Sequence, residues 1–139
     1  MIRENRLRKH PQTILEESSV RRTYHTDRHL AVYGTLAPGE SNHHILGSIP
    51  GEWTPVELRG VRFTLQVGTD IGYPGYNWQP DGPTVDAYLL TSPKLPEHFD
   101  RLDRFEGPDY CRILVPVYRN GTMFAVANTY ECRHTPAPF

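Results

Sequence analysis

Ala31-Val32-Tyr33-Gly34-Thr35-Leu36-Ala37-Pro38-Gly39 is the stretch around which the chain is organised. It opens as an apolar run, Leu30 to Val32, that reads as a buried strand, and then breaks into small turn-forming residues. Gly34 permits a positive φ and carries no side chain, so a ligand can approach the backbone there. Pro38 and Gly39 signal a turn. Ser41-Asn42-His43-His44-Ile45-Leu46 then has a helical pattern, with Ser41 in the N-cap position. Strand, glycine turn and helix in that order leave several backbone N–H groups free, an arrangement suited to an anion. The same order also serves as a plain tight connection in many folds.

Downstream, Leu58 to Val67 alternates cleanly. Val61, Phe63, Leu65 and Val67 share one face and Gly60, Arg62, Thr64 and Gln66 the other, as in a strand with one face buried. Residues 68–83 are rich in turn signals: Gly68, Gly72-Tyr73-Pro74-Gly75-Tyr76 and Pro80-Asp81-Gly82-Pro83. Such a long loop is often functional. Its tyrosines and Trp78 are suited either to walling a pocket or to plugging the end of a barrel. Thr84 to Thr91 reads as a further strand. Ser92-Pro93-Lys94-Leu95-Pro96 leads into a helix stopped at Gly107-Pro108. Cys111 to Tyr118 alternates again, with Ile113, Val115 and Val117 on one side. Asn120-Gly121 is a hairpin turn, and Met123 to Glu131 is the return strand. About five main strands and two short helices, without internal repeats, describe an α+β chain: a small closed or half-closed barrel flanked by helices.

The composition agrees. The 139 residues fit one domain with a core of its own, and 13 prolines with 11 glycines favour short strands and turns over a helical bundle. A formal net charge of -1 gives no bulk basicity for nucleic acid. No apolar run approaches the roughly 20 residues that span a bilayer, and the N-terminus lacks the apolar core of a secretory signal. The two cysteines, Cys111 and Cys132, read as buried free thiols of a reducing, cytoplasmic compartment. Residues 1–28 are a basic N-terminal extension with few apolar side chains, expected to be poorly ordered or loosely docked, and the domain proper is expected over 29–139. No residue pattern sets an oligomeric state.

One carboxylate does not fit its helix. At 100° per residue with Leu95 at zero, Phe99 falls at about 40°, Leu102 at about 340° and Phe105 at about 280°. Glu106 then falls at about 20°, inside the stripe of Leu95, Phe99 and Leu102. A carboxylate on a buried face costs free energy unless paired or protonated. In the last turn the helix dipole also disfavours negative charge by about 0.3–1 kcal/mol. Both effects raise a carboxyl pKa toward neutrality, where a general acid/base works. A frayed helix end that turns Glu106 to solvent, or a pair with Arg112, satisfies the same pattern. Asp103, at about 80°, flanks the stripe and suits an arginine partner or a loop cap. His43, His44, His98 and His134 have no metal-ligand spacing, and Gly34 to Gly39 lacks the lysine of a nucleotide loop.

Two segments go beyond pattern. Val32-Tyr33-Gly34-Thr35-Leu36 with Gly39-Glu40-Ser41-Asn42, and Leu102-Asp103-Arg104-Phe105-Glu106-Gly107 with Tyr110 and Arg112, resemble the γ-glutamylcyclotransferase-like family, which includes AIG2-like proteins and γ-glutamylamine cyclotransferases. The Tyr73-Pro74-Gly75 loop and the terminal hairpin are similar to the family's as well, so the resemblance spans about residues 30–131. It implies a small mixed β-barrel of about five to six strands flanked by short helices. It implies that the backbone of Tyr33, Gly34, Thr35 and Leu36 binds the α-carboxylate end of a γ-glutamyl group and that Glu106 is the general acid/base. Tyr110 would line the pocket or hydrogen-bond the site, and Arg112 would be structural. The implied reaction is cleavage of a small-molecule γ-glutamyl amide by its own α-amine, giving 5-oxoproline and a free amine. Nucleophile and electrophile share one molecule, so no metal or cofactor is expected, and neither nucleic acid nor membrane is an expected partner. The alternative is a non-catalytic AIG2-like ligand-binding or stress-response module that keeps the pocket. One departure from the family is Ala87, which stands where the third strand usually carries glycine.

Overall fold

The structure, a computed structural model, describes residues 25–136. Six strands and one α-helix follow in order: β1 (His29–Val32), β2 (Glu52–Thr64), β3 (Pro74–Trp78), β4 (Thr84–Thr91), α1 (Phe99–Glu106), β5 (Tyr110–Arg119) and β6 (Thr122–Cys132). Single 3-10 turns at Thr26–Arg28, His43–Ile45 and Leu95–Glu97 connect them. The strand order is β3-β2-β4-β1-β6-β5, and a β2–β5 pairing at Glu57↔Tyr118 closes the last five into a barrel with β3 added outside. β1 runs parallel to β6 and the other pairings are antiparallel, so the barrel is mixed.

Period-two alternation divides the core into two. In β1, Ala31 points into the barrel while Leu30 and Val32 point outward to the helix layer. The interior is filled by Ala31, Val56, Leu58, Val85, Ala87, Leu89, Ile113, Val115, Val117, Ala125 and Ala127. Ala87 is thus a barrel-interior residue, one of several small side chains that a narrow barrel accommodates. Outside, Leu95, Phe99 and Leu102 bury the expected stripe of the helix segment against Leu30, Val32 and Tyr130. The Asn120-Gly121 turn has both residues at positive φ, 51° and 78°, as a type I′ hairpin needs.

Three expectations need correction. The segment after Gly39 is not an α-helix capped by Ser41. Asn42 instead folds back on Thr35, donating from its backbone N to the Thr35 carbonyl at 2.9 Å and from Nδ2 to Thr35 Oγ1 at 3.1 Å, and only a 3-10 turn follows. The strand expected over 58–67 starts at Glu52 and ends at Thr64, and Val67 is 53% exposed. Its buried face also changes phase. Val56, Leu58 and Gly60 are buried in the first half, whereas Val61 and Phe63 are half-buried in the second. The reason is a change of partner: β2 pairs with β4 as far as Arg59↔Thr84 and with β3 from Gly60↔Trp78. Finally, residues 68–83 contain β3, which delivers Tyr76 and Trp78 into the barrel core, while Tyr73 stays outside it. The loop therefore both plugs the barrel and, through Tyr73, walls a cavity.

Gly60, the pivot of β2, sits at φ +151°, and a Cβ there would lie 2.2 Å from the Asn77 carbonyl oxygen and 2.7 Å from Tyr76 Cε1. Gly60→Ala is expected to cost about 2–4 kcal/mol from backbone strain and overpacking. Thermal denaturation measures this, and a midpoint within about 2 °C of wild type would contradict it.

The reading of residues 1–28 as a loose extension lies, for 1–24, outside the described residues. Nearer the barrel, Thr26 is buried and its carbonyl accepts from Asn128 Nδ2 at 2.8 Å, and the Arg28 carbonyl accepts from Ser92 N at 2.9 Å. Cys111 and Cys132 are buried free thiols. Among the described residues no helix is long and apolar enough to cross a membrane.

Candidate active site

A cavity of about 290 Å³ opens where β1 ends, between the 33–36 loop, the loop leading into β3, and the C-terminus of α1. Tyr33, Gly34, Thr35, Leu36 and Asn42 line one side, Asp70, Tyr73 and Pro74 another, and Phe105, Glu106, Tyr110 and Tyr130 the remainder. Every site residue expected from the sequence is therefore in one cavity. It suits a ligand of amino-acid size with part of its substituent outside.

The 33–36 loop is held without using the N–H groups of Gly34, Thr35 and Leu36. Ala37 N donates to the Gly34 carbonyl at 3.0 Å, Asn42 N to the Thr35 carbonyl at 2.9 Å, and His43 Nδ1 lies 2.9 Å from the Leu36 carbonyl. Among the described residues no protein acceptor takes the N–H groups of Gly34, Thr35 or Leu36. Backbone donors of this kind complement an anion. Gly34 is not in the left-handed region. What matters there is the missing side chain: a Cβ would meet only Pro74, at 3.6 Å, across the cavity wall.

Glu106 reaches the cavity because the last turn of α1 continues the stripe of Phe99 and Leu102. Gly107, at φ +79°, ends the helix with its N–H on the Asp103 carbonyl, so the turn does not fray. Arg112 does not pair with Glu106. Its Nε donates to Asp103 Oδ1 at 3.0 Å and its Nη1 to Asn128 Oδ1 at 2.9 Å, while its guanidinium lies 4.0 Å over the Phe99 ring. Burial, then the negative charges of Asp70 and Asp103, push the Glu106 carboxyl up to about 7. For Asp103, burial pushes upward, but the hydrogen bonds from Arg112 and Tyr130 outweigh it and hold the carboxyl below its ordinary value.

The phenols around Glu106 are structural donors. Tyr33 OH donates to the Tyr130 carbonyl at 2.6 Å, Tyr110 OH to the Pro74 carbonyl at 2.7 Å, and Tyr130 OH to Asp103 Oδ1 at 2.7 Å. Burial raises all three well above the ordinary tyrosine range. Glu106 is thus the cavity group poised to exchange a proton near neutral pH. Tyr110 has a second task, because its bond to Pro74 ties the start of β3 to β5.

Sequence reasoning missed Asp70 and the groups that hold it. Asp109 Oδ2 accepts from Thr69 N and Asp70 N, both at 2.8 Å, and from Thr69 Oγ1 at 3.0 Å. These partners lie 39 and 40 positions apart in the chain, so no local spacing reports them. The histidines serve the frame: His43 packs on Trp53, His98 Nδ1 accepts from Arg101 Nη2 at 2.8 Å, and His134 bonds Asp109.

Among curated proteins none matches the chain. Solved structures share its fold. An uncharacterised protein from Pyrococcus horikoshii is 22% identical with a TM-score of 0.58 over 78% of this chain and 80% of that one. An AIG2-like protein from Mus musculus is 23% identical with a TM-score of 0.53 over 78% and 80% of the two chains. YkqA from Bacillus subtilis is 23% identical with a TM-score of 0.57, over 78% of this chain and 36% of its own. A family model described as γ-glutamyl cyclotransferase, AIG2-like, matches residues 30–138, which takes in the barrel, the 33–36 loop and the helix of Glu106. This chain belongs to that family.

Proposed function

We propose that the protein is a cofactor-independent acyltransferase, a γ-glutamyl cyclotransferase that converts a γ-glutamyl amide into 5-oxoproline and a free amine. The observation that carries the reading is the pairing, across one cavity, of three backbone N–H groups without an acceptor among the described residues and a carboxylate poised near neutrality. The N–H groups of Gly34, Thr35 and Leu36 hold the α-carboxylate of the substrate. Glu106 and Asp70 give the other wall a negative charge that suits an α-ammonium. Tyr33 and Tyr110 close the floor and side.

In the reaction the α-nitrogen forms a bond to the γ-carbonyl carbon and the γ-amide C–N bond breaks. The α-ammonium gives up protons and the leaving nitrogen takes them, so no co-reactant is needed. Glu106 takes a proton from the α-ammonium and returns one to the leaving amine. Closing a five-membered ring has a high effective molarity, and the protein's main contribution is orientation. The same loop donors are suited to the oxyanion of the tetrahedral intermediate. Buried free thiols at Cys111 and Cys132 support a cytoplasmic setting.

The test is 5-oxoproline release from a panel: γ-glutamyl amino acids, γ-glutamyl-ε-lysine, glutathione and a γ-glutamyl alkylamine. Release from at least one, with a preference that names the amine class, is the expected result. Absence of release from all of them, with the protein folded, would overturn the reading in favour of a binding module.

A further inference from the structure

Asp109, immediately before β5, is buried, only 5% exposed, and its carboxylate is fully engaged. Besides the three donors from Thr69 and Asp70 on Oδ2, His134 Nε2 lies 2.9 Å from Oδ1. The His134 hydrogen bond foremost, with those of Asp70 and Thr69, brings the carboxyl down to about 2. A carboxylate that stays ionised can only accept, so His134 Nε2 carries the hydrogen. Gly68 completes the cradle. It sits at φ +89°, and a Cβ there would lie 2.4 Å from Asp109 Oδ1, so the backbone presses directly on the carboxylate. Residues 68–70 are wrapped around an anion that belongs to the protein itself.

Asp109 does not line the cavity, but Asp70, whose N–H it holds, does, together with Glu106. The cradle therefore fixes the backbone of the residue that, among the described residues, brings a second carboxylate into the Glu106 cavity. We propose that Asp70 keeps Glu106 a strong base by placing a second carboxylate in its cavity, and that Asp109, with His134, is the positioning residue that holds Asp70 there. The inference rests on Glu106 as the acid/base of the proposed reaction and adds the residues that tune it. The titratable and charged groups that face Glu106 are Asp70 and Tyr73 from the loop before β3, Tyr33 at the end of β1, Tyr110 of β5, Tyr130 of β6, and Asp103 with its partner Arg112 from α1 and β5. The three phenols named with the strands stay neutral, and Asp103 is partnered by Arg112, so Asp70 is the charge whose removal Glu106 should register most. Burial comes first and the charge of Asp70 second in raising Glu106.

The experiment follows the Glu106 carboxyl by ¹³C NMR in the full chain, its resonance identified by its loss in Glu106→Gln, and compares wild type, Asp70→Asn, Asp109→Asn and the double variant. In Asp70→Asn the titration midpoint is expected to fall by about one pH unit. The acidic limb of kcat/KM is expected to fall with it, and the high-pH plateau to drop about threefold as the base weakens. Asp109→Asn is expected to move the midpoint the same way, and the double variant no further than Asp70→Asn. Where Asp109→Asn does not fold, His134→Ala is read in its place, with a smaller shift of the same sign. A midpoint in Asp70→Asn equal to wild type overturns the proposal. So does a lower melting temperature in Asp109→Asn with an unmoved Glu106 midpoint, because a merely structural clamp would give that. If wild type releases no 5-oxoproline from the panel, the cyclotransferase reading fails, while the NMR midpoint still decides the coupling of Asp70 to Glu106.

Discussion

Glu106→Gln is expected to lower 5-oxoproline release by about 10²–10⁴-fold with the fold intact, because it removes the cavity group that, among the described residues, is suited to both accept and return a proton near neutral pH. Glutamine has nearly the same volume and keeps the hydrogen-bonding carbonyl, so binding of the 5-oxoproline product is expected to change far less than turnover. Near-normal kcat in the variant would remove Glu106 from the mechanism. For the wild type, kcat/KM is expected to rise with pH to a plateau above about 7, where Glu106 is free to act as base.

The same substitution reports on stability. Burial raises the Glu106 carboxyl from 4.5 to about 7, so ionising it costs more in the folded state than in the unfolded chain. The sign follows from linkage. Below about 4.5 both states carry the proton and no penalty exists. As pH rises from about 4.5 through 7 the wild type loses stability, by about 3 kcal/mol in all, and the loss stays constant above that range. Glutamine has no such penalty. Thermal denaturation of the two proteins is therefore expected to coincide near pH 4, to separate between about pH 4.5 and 7 and to stay apart above that, with the variant the more stable. A gap that stays constant across this range would contradict the raised carboxyl. An inactive but more stable variant is what a site that stores unfavourable electrostatics should give.

How much of this was legible in the sequence depended on how far apart the partners lie. The β5–β6 hairpin is local: Ile113, Val115 and Val117 are fully buried and Asn120-Gly121 turns as expected. The position of Glu106 was legible for the same reason, since helical periodicity from Leu95 alone puts it on the buried face. β3 was not legible, because Gly72, Pro74 and Gly75 read as turns, and only its pairing with β2 beyond Gly60 makes the segment a strand. The free donors of the 33–36 loop were readable as a possibility from the strand-glycine-turn order. Their freedom was not, because it depends on Asn42 taking the Thr35 carbonyl rather than an α-helix forming. Asp70 carried no local signal at all, since the residue that places it lies 39 positions away.

Arg112→Ala is expected to destabilise the protein by about 3 kcal/mol. The Arg112 and Asp103 side chains are 11% and 20% exposed, so their attraction is weakly screened by water. Arg112 also joins Asn128, which donates onward to the Thr26 and His29 carbonyls at 2.8 and 3.3 Å, and it covers the Phe99 ring. One guanidinium thus ties α1, β5, β6 and the entrance to β1. Asp103, held below its ordinary value in the fold, contributes stability that is present above the unfolded carboxyl range near pH 4 and is lost as pH falls through the folded value. The gap in melting temperature between wild type and variant is therefore expected to be widest above pH 5 and to narrow in acid. Arg112→Lys keeps the charge but not the fork that spans both Asp103 oxygens, and is expected to recover less than half of the loss. The variant has a second, functional readout. With its guanidinium gone, Asp103 acts more strongly on Glu106 three residues along the same helix, and the acidic limb of kcat/KM is expected to move to higher pH. Opposite shifts in Arg112→Ala and Asp70→Asn would show that the two carboxylates beside Glu106 act on it through charge, one masked by its arginine and one placed by Asp109; a limb unmoved in Arg112→Ala would confine Arg112 to stability alone.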